Sequence, residues 1–151
     1  MNASTLPGSL EDIATELRDA PHDLLLEVLL EYADRLPRVP ERLADRPEGM
    51  EQVTECQTPF FLAAELDEDG GLRVHIDCPP ESPTIRAFGA IVVEGLAGAA
   101  PEDAAALPDD LAERLGLGSA ITGMRLNGMV AVVRRLRRQA QALQEAEATS
   151  S

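Results

Sequence analysis

Apolar residues return at helical spacing near the start of the chain. Leu10, Ile13, Ala14 and Leu17 stand at i, i+3, i+4 and i+7, which predicts one buried helix face. Ser9 ahead of them reads as an N-cap, and Glu11 and Asp12 suit the positive end of the helix dipole. Ala20-Pro21 interrupts this run. A second helix, from about Pro21 to Arg35, sets Leu25, Val28, Leu29 and Tyr32 on one face, and Leu24, Leu26 and Leu30 widen it enough to predict deep packing. Three prolines between Leu36 and Pro47 then predict a loop with at most one helical turn near Pro40–Ala44.

The period next switches to two. Phe60, Leu62, Ala64 and Leu66 alternate with Phe61, Ala63 and Glu65, and Leu72, Val74, Ile76 and Cys78 alternate with Arg73, His75 and Asp77. Asp67-Glu68-Asp69-Gly70-Gly71 between them is a turn signal, so the pair reads as a β-hairpin with one buried face. Helical spacing resumes after Ser82-Pro83, an N-cap followed by proline at the first helical position, with Ile85, Phe88, Val92 and Leu96 inward and Gly98 as the stop. Shorter helices follow from Pro101 and over about 109–115. A last long helix opens near Thr122, carries Met129, Val133, Leu136 and Ala140 inward, and frays from about Gln144. The order predicts an α+β domain: a small antiparallel sheet, hairpin 60–66/72–78 with room for a short third strand, covered by helices. Residues 1–8 are expected as a disordered lead, 9–141 as a single domain and 142–151 as a disordered tail.

Composition narrows the function. With 13 basic residues, all arginine, against 27 acidic ones, the net charge is −14, which disfavours phosphate backbones and hence nucleic acid. The absence of lysine rules out Schiff-base chemistry on this chain and a phosphate-loop lysine. No apolar run approaches the roughly 18 residues a membrane span requires. The start, Met1-Asn2-Ala3-Ser4-Thr5, lacks the basic and apolar regions of a signal peptide, so a cytoplasmic protein without membrane contact is expected. Cys56, Cys78, His22 and His75 are the only soft ligands and none pair at metal-site spacing, so no metal is expected. There is no Gly-x-Ser-x-Gly elbow and no glycine-rich phosphate loop. Arg134, Arg135, Arg137 and Arg138 cluster on the last helix and read first as a solvated face, second as a docking patch.

Two thiols remain. The strand phase puts Cys78 on the buried face, whereas Cys56 stands in a polar junction, Thr54-Glu55-Cys56-Gln57-Thr58-Pro59, at the entrance of the first long strand. A disulfide between them is disfavoured, because disulfide geometry is demanding and cytosolic thiols stay reduced. A nucleophilic thiol needs a nearby cation or oriented N–H groups, and Glu55 acts the other way. A distant arginine would have to fold over Cys56.

Four blocks of this sequence resemble the SufE family of sulfur acceptors. Val53-x-x-Cys56-Gln57-Thr58 is similar to its V-x-x-C-Q-S core, and Leu29-Leu30-Glu31-Tyr32-Ala33-Asp34-Arg35-Leu36-Pro37 to its L-L-E-Y-x-D-x-L-P helix end. Ala87-Phe88-Gly89-Ala90-Ile91 resembles its post-hairpin helix, and Arg125-Leu126-Asn127-Gly128-Met129 its R-x-x-G signature. The blocks occur in order over about residues 9–140. Thr58 replaces the usual serine and keeps a hydroxyl, while Phe60-Phe61 after Pro59 replaces an apolar–tryptophan pair.

The resemblance implies a SufE/IscU-like fold and a sulfur carrier with transpersulfuration chemistry rather than a stand-alone enzyme. Cys56 would accept persulfide sulfur from a pyridoxal-phosphate-dependent cysteine desulfurase, stimulating it. The sulfur would then pass to a downstream iron–sulfur scaffold complex, with no cofactor on this chain. Arg125 would be the cation near the thiolate. Gln57, Thr58, Asn127 and Gly128 would support the site, as would Glu81, which stands about where the family carries an acid before the post-hairpin helix. A shielding cavity around Cys56, from which its loop everts at the partner, is expected. Two other readings stay open: an iron–sulfur scaffold of related fold, which wants about three cysteines or other ligands, and a desulfurase-regulating module without sulfur transfer.

Overall fold

The computed structural model of the protein describes residues 6–44, 49–56, 58–118, 121 and 123–150. Helix α1 (Gly8–Asp19) is followed by a 3-10 turn (His22–Leu24), α2 (Leu25–Asp34) and the single turn α3 (Glu41–Ala44). Strands β1 (Glu51–Gln52), β2 (Phe61–Leu66) and β3 (Leu72–Asp77) come next, then α4 (Pro83–Leu96), α5 (Pro101–Ala105), α6 (Leu111–Arg114) and α7 (Gly123–Ser150). The sheet is antiparallel in the order β1-β2-β3, with Glu51 opposite Leu62 and Leu62 opposite Ile76. This is the α+β architecture that the period switches predict, and β1 supplies the third strand.

Helix α4 is the hub, packing on α1, α2 and β3, while α7 packs on α5, α6 and β2. Its near-unbroken apolar sequence fits that place, since Phe88, Ile91, Val92 and Leu96 are wholly buried. At Gly95 the helix meets α1 so closely that an added Cβ would stand 2.6 Å from Leu10 Cδ1 and 3.2 Å from its Cα. Backbone cannot step aside as a side-chain tip can. Gly95→Ala is therefore expected to lose about 1–3 kcal/mol despite alanine's better helix propensity, read as a lower urea midpoint at unchanged slope.

Several local expectations are corrected. Helix α1 begins at Gly8 with Pro7 at the cap position, so Ser9 lies inside the helix and caps nothing; Leu6 before it is already buried. Leu24, Leu26 and Leu30 are 43%, 54% and 41% exposed rather than deeply packed, because α4 covers only the Leu25–Leu29–Tyr32 side of α2. The second face of the hairpin is also partly covered, since Ala63 is buried with Leu43 and Met50. Thr122 lies outside the described residues. Helix α7 continues past Gln144 to Ser150; glutamate, glutamine and alanine in that stretch are good helix formers.

The outer edge of β2 is closed by one side chain. The Ala64 N–H donates to Gln139 Oε1 at 2.7 Å, and Gln139 Nε2 donates to the Leu62 carbonyl at 3.3 Å. The amide of an α7 residue thus takes the place of a strand, which blunts an edge that would otherwise template pairing.

Candidate functional site

One stripe of α7 organises the region around Cys56. Gly128, Val132, Arg135 and Gln139 stand at i, i+4, i+7 and i+11, so they share a helix face. Gly128 lies under Cys56, Arg135 reaches the β1–β2 loop, and Gln139 holds the β2 edge. The loop itself is anchored by Val53, whose N–H donates to the Phe60 carbonyl at 2.8 Å and whose carbonyl accepts from the Cys56 N–H at 3.2 Å.

Cys56 is part-buried at the tip of this loop and packs against the main core. A Cβ at Gly128 would stand 3.2 Å from its sulfur and 3.6 Å from its Cα. Any side chain at that point of the helix would press on the thiol. Beside the sulfur is a cavity of about 60 Å³ walled by Thr58, Ser82, Ile85, Met124, Arg125 and Gly128. Arg125 donates from Nη1 to Thr84 Oγ1 at 2.6 Å, and Met124, 60% exposed, stands at the rim.

The electrostatics hold the resting thiol protonated. Burial, then the Glu55 carboxylate, push Cys56 up from 9.0 to about 11, against a smaller downward pull from Arg135. Arg135 Nη1 donates to Glu51 at 2.8 Å and Nη2 to Glu55 at 2.5 Å, while its buried Nε has no hydrogen-bond partner among the described residues. Arg138 and Gln139 also bond Glu51. Partial burial would raise the Glu51 carboxyl, but hydrogen bonds from Arg138, Gln139 and Arg135 prevail and hold it at about 2. The two shoulders of the Cys56 loop, Glu51 and Glu55, are thereby pinned to α7.

Cys78 is buried, and burial likewise lifts it to about 11; its thiol donates to the Pro79 carbonyl at 3.8 Å, and Cys56 lies near enough to act on it electrostatically. Both cysteines are free thiols. Tyr32, buried and donating to Glu16 at 2.5 Å, is raised to about 12. All three are neutral in the fold above the pH at which they ionise in the unfolded chain. Their contribution is whole below about pH 9 and is lost as pH climbs towards 11–12. The urea midpoint should be flat from pH 7 to 8.5 and fall by pH 10.5. Alkylation of Cys56, followed by peptide mass, should rise with a midpoint near 11 rather than near 9.

The sequence-predicted residues divide. Cys56, Thr58, Arg125 and Gly128 meet at the one cavity. Asn127 is exposed and lines, outside that cavity, a depression shared with Glu55 and Arg135. Glu81 is exposed in the turn before α4, and its neighbour Ser82 reaches the cavity instead. Gln57 lies outside the described residues.

The arginine cluster is solvated at Arg134 and Arg138 and part-buried at Arg135 and Arg137, and all four are paired with carboxylates. Arg134 and Arg137 pair with Asp109, and Arg135 and Arg138 with Glu51. Arg135 is the residue sequence reasoning missed. Its signal was present, seven positions after Gly128 and so on the same helix face.

No helix among the described residues is long and apolar enough to cross a membrane. A family model described as "SufE: Fe-S metabolism associated domain" matches residues 11–140. Two Mycobacterium tuberculosis proteins, from different strains and each described as an uncharacterized SufE-like protein, are 35% identical over 136 residues, covering 90% of this chain and 94% of theirs. The solution structure of a hypothetical protein from Thermus thermophilus superposes with a TM-score of 0.83 at 33% identity, over 93% of this chain and 99% of that one.

Proposed function

This chain belongs to the SufE family, a family associated with iron–sulfur metabolism, and from that premise we propose that it is a sulfur acceptor with Cys56 as its carrier. The observation that carries this is the seat of Cys56: a lone thiol on a pinned loop, over a glycine, at a small cavity with an arginine in its wall. The donor is a cysteine desulfurase holding a persulfide. The Cys56 thiolate attacks the outer sulfur, the sulfur–sulfur bond to the desulfurase breaks, and the desulfurase cysteine leaves as a thiolate. A perthiol remains on Cys56. The exchange needs no cofactor, oxidant or reductant on this chain.

At rest the thiol is protonated and therefore a poor nucleophile. Reaction requires the loop to leave its seat, where water and a partner's cations restore the thiolate. On return, the cavity shields the outer sulfur, and the Arg125 guanidinium can face its negative charge. Glu81 and Asn127, by the turn and helix they stand on, belong to the face the desulfurase would meet, and Gln57, next to the carrier in sequence, would support the exchange. The sulfur then moves to an iron–sulfur assembly complex. Desulfurase turnover with and without this protein, together with intact mass after the reaction, tests the proposal. Unchanged turnover and an unchanged mass would refute it. A scaffold role is less well served, because Cys78 is sealed in the core.

A further inference from the structure

We infer that the open edge of β3 is a docking groove for a short, extended, acidic segment of a partner protein, which would add to the sheet as a fourth strand. Leu72 shows which way the edge faces. Its N–H donates to the Ala99 carbonyl at 2.7 Å and its carbonyl accepts from the Gly98 N–H at 2.8 Å, both on the side away from β2. In an antiparallel ladder such groups alternate, so the N–H and C=O of Val74 and Ile76 point the same way. The opposite edge of β2 obeys the same phase, since its Ala64 N–H and Leu62 carbonyl point outward to Gln139. There the edge is capped. At Val74 and Ile76 no group among the described residues bonds it.

The space beside these two residues is a cavity of about 480 Å³. It lies between the β3 edge, α4 and the segment 35–40, beside the 98–99 segment that pairs with Leu72. Its floor is the small apolar face of α4, with Ala90, Val93 and Ala97. Alternate side chains of an added strand would rest on that floor, and the others would face outward.

Charge selects the occupant. On a chain of net charge −14, Arg35, Arg38 and Arg73 line this groove against one acid, Glu94, and Arg35 is paired with Glu94. Arg38 and Arg73 have no acidic partner among the described residues. Arg73 alternates with the buried Leu72 and Val74 and so stands on the other face of β3, and Arg38 lines the same groove. An acidic, alternating segment satisfies the two backbone pairs, the apolar floor and the two arginines together.

A fluorescein-labelled Glu-Val-Glu-Val-Glu peptide and its Lys-Val-Lys-Val-Lys counterpart, titrated into the full chain, test this. The acidic peptide should bind, with amide shifts and slowed hydrogen exchange at Val74 and Ile76, and the basic one should not. The Arg38→Glu/Arg73→Glu protein should reverse that preference while keeping the parent's circular dichroism. Val74→Pro, which removes an N–H that β2 does not use, should weaken the acidic peptide at least tenfold. Three outcomes would each overturn the inference. The peptides could bind equally, the shifts could avoid Val74 and Ile76, or those amides could be protected by concentration-dependent self-association instead.

Discussion

Incubated with a cysteine desulfurase and free cysteine, the Cys78→Ser protein should gain the mass of one sulfur atom, and the Cys56→Ser protein none. The contrast rests on placement. Cys78 is 3% exposed, lies in the main core just past β3 and donates its thiol to the Pro79 carbonyl. A persulfide on another protein cannot reach it without opening the core. Cys56 is part-buried at the tip of a loop between two short-paired strands, held by two carboxylates and one glycine-lined seat. Loops of that kind open at a fraction of the free energy of global unfolding. A serine at Cys56 preserves size and leaves the seat intact, so loss of sulfur acceptance with an unchanged melting curve would isolate the chemistry. Sulfur on the Cys56→Ser protein would assign the carrier elsewhere.

Replacing Gly128 should expose the thiol. Even the first added carbon stands 3.2 Å from Sγ and 3.6 Å from the Cα of Cys56, and valine adds two more beyond it. The wall is α7, a long helix braced by α5, α6 and β2, so the loop is the part that yields. Overpacking of this kind costs about 1–3 kcal/mol. If that cost falls on the closed loop alone, the open population rises roughly ten- to a hundredfold. Gly128→Val should therefore be alkylated at Cys56 faster by that factor at pH 7.5. In the sulfur-loaded protein it should lose its sulfur to a thiol reductant correspondingly faster. Alkylation at the parent rate would mean that the seat is not what shields Cys56. Glu55→Gln offers a milder opening, because it removes one of the two pins on Arg135 while leaving Glu51 in place.

The resting site is a store rather than a reactive centre. Burial and Glu55 oppose the thiolate, and Arg135, the cation that acts on it, is already shared between two carboxylates. This is a sensible arrangement for a group that must survive between partners. A sulfur carrier with a permanently ionised, open thiol would exchange with any disulfide or oxidant it met.

How much of this was legible beforehand can be traced through single residues. The alternation Leu72–Val74–Ile76–Cys78 determined that Cys78 is buried, because strand period is strict and one wrong phase exposes every apolar side chain. The 3.6-residue pattern likewise determined that Leu10, Leu17, Leu29, Phe88 and Met129 are core. Four ordered blocks, two of them holding Cys56 and Gly128, carried the resemblance to the family whose model matches residues 11–140. Local pattern stops where partners are distant in sequence. That α2 carries an apolar face is readable from its spacing, but how much of that face a neighbour covers is not, and Leu24, Leu26 and Leu30 stand exposed beyond it. Cys56 lies 72 residues from Gly128, and Glu55 lies 80 from Arg135. Which arginine meets which carboxylate depends on the docking of α7 against the sheet, and no spacing within either segment encodes that. The sequence by itself determined that Cys56 is the thiol to watch; the tertiary structure decided that it rests protonated, seated on a glycine and latched by Arg135.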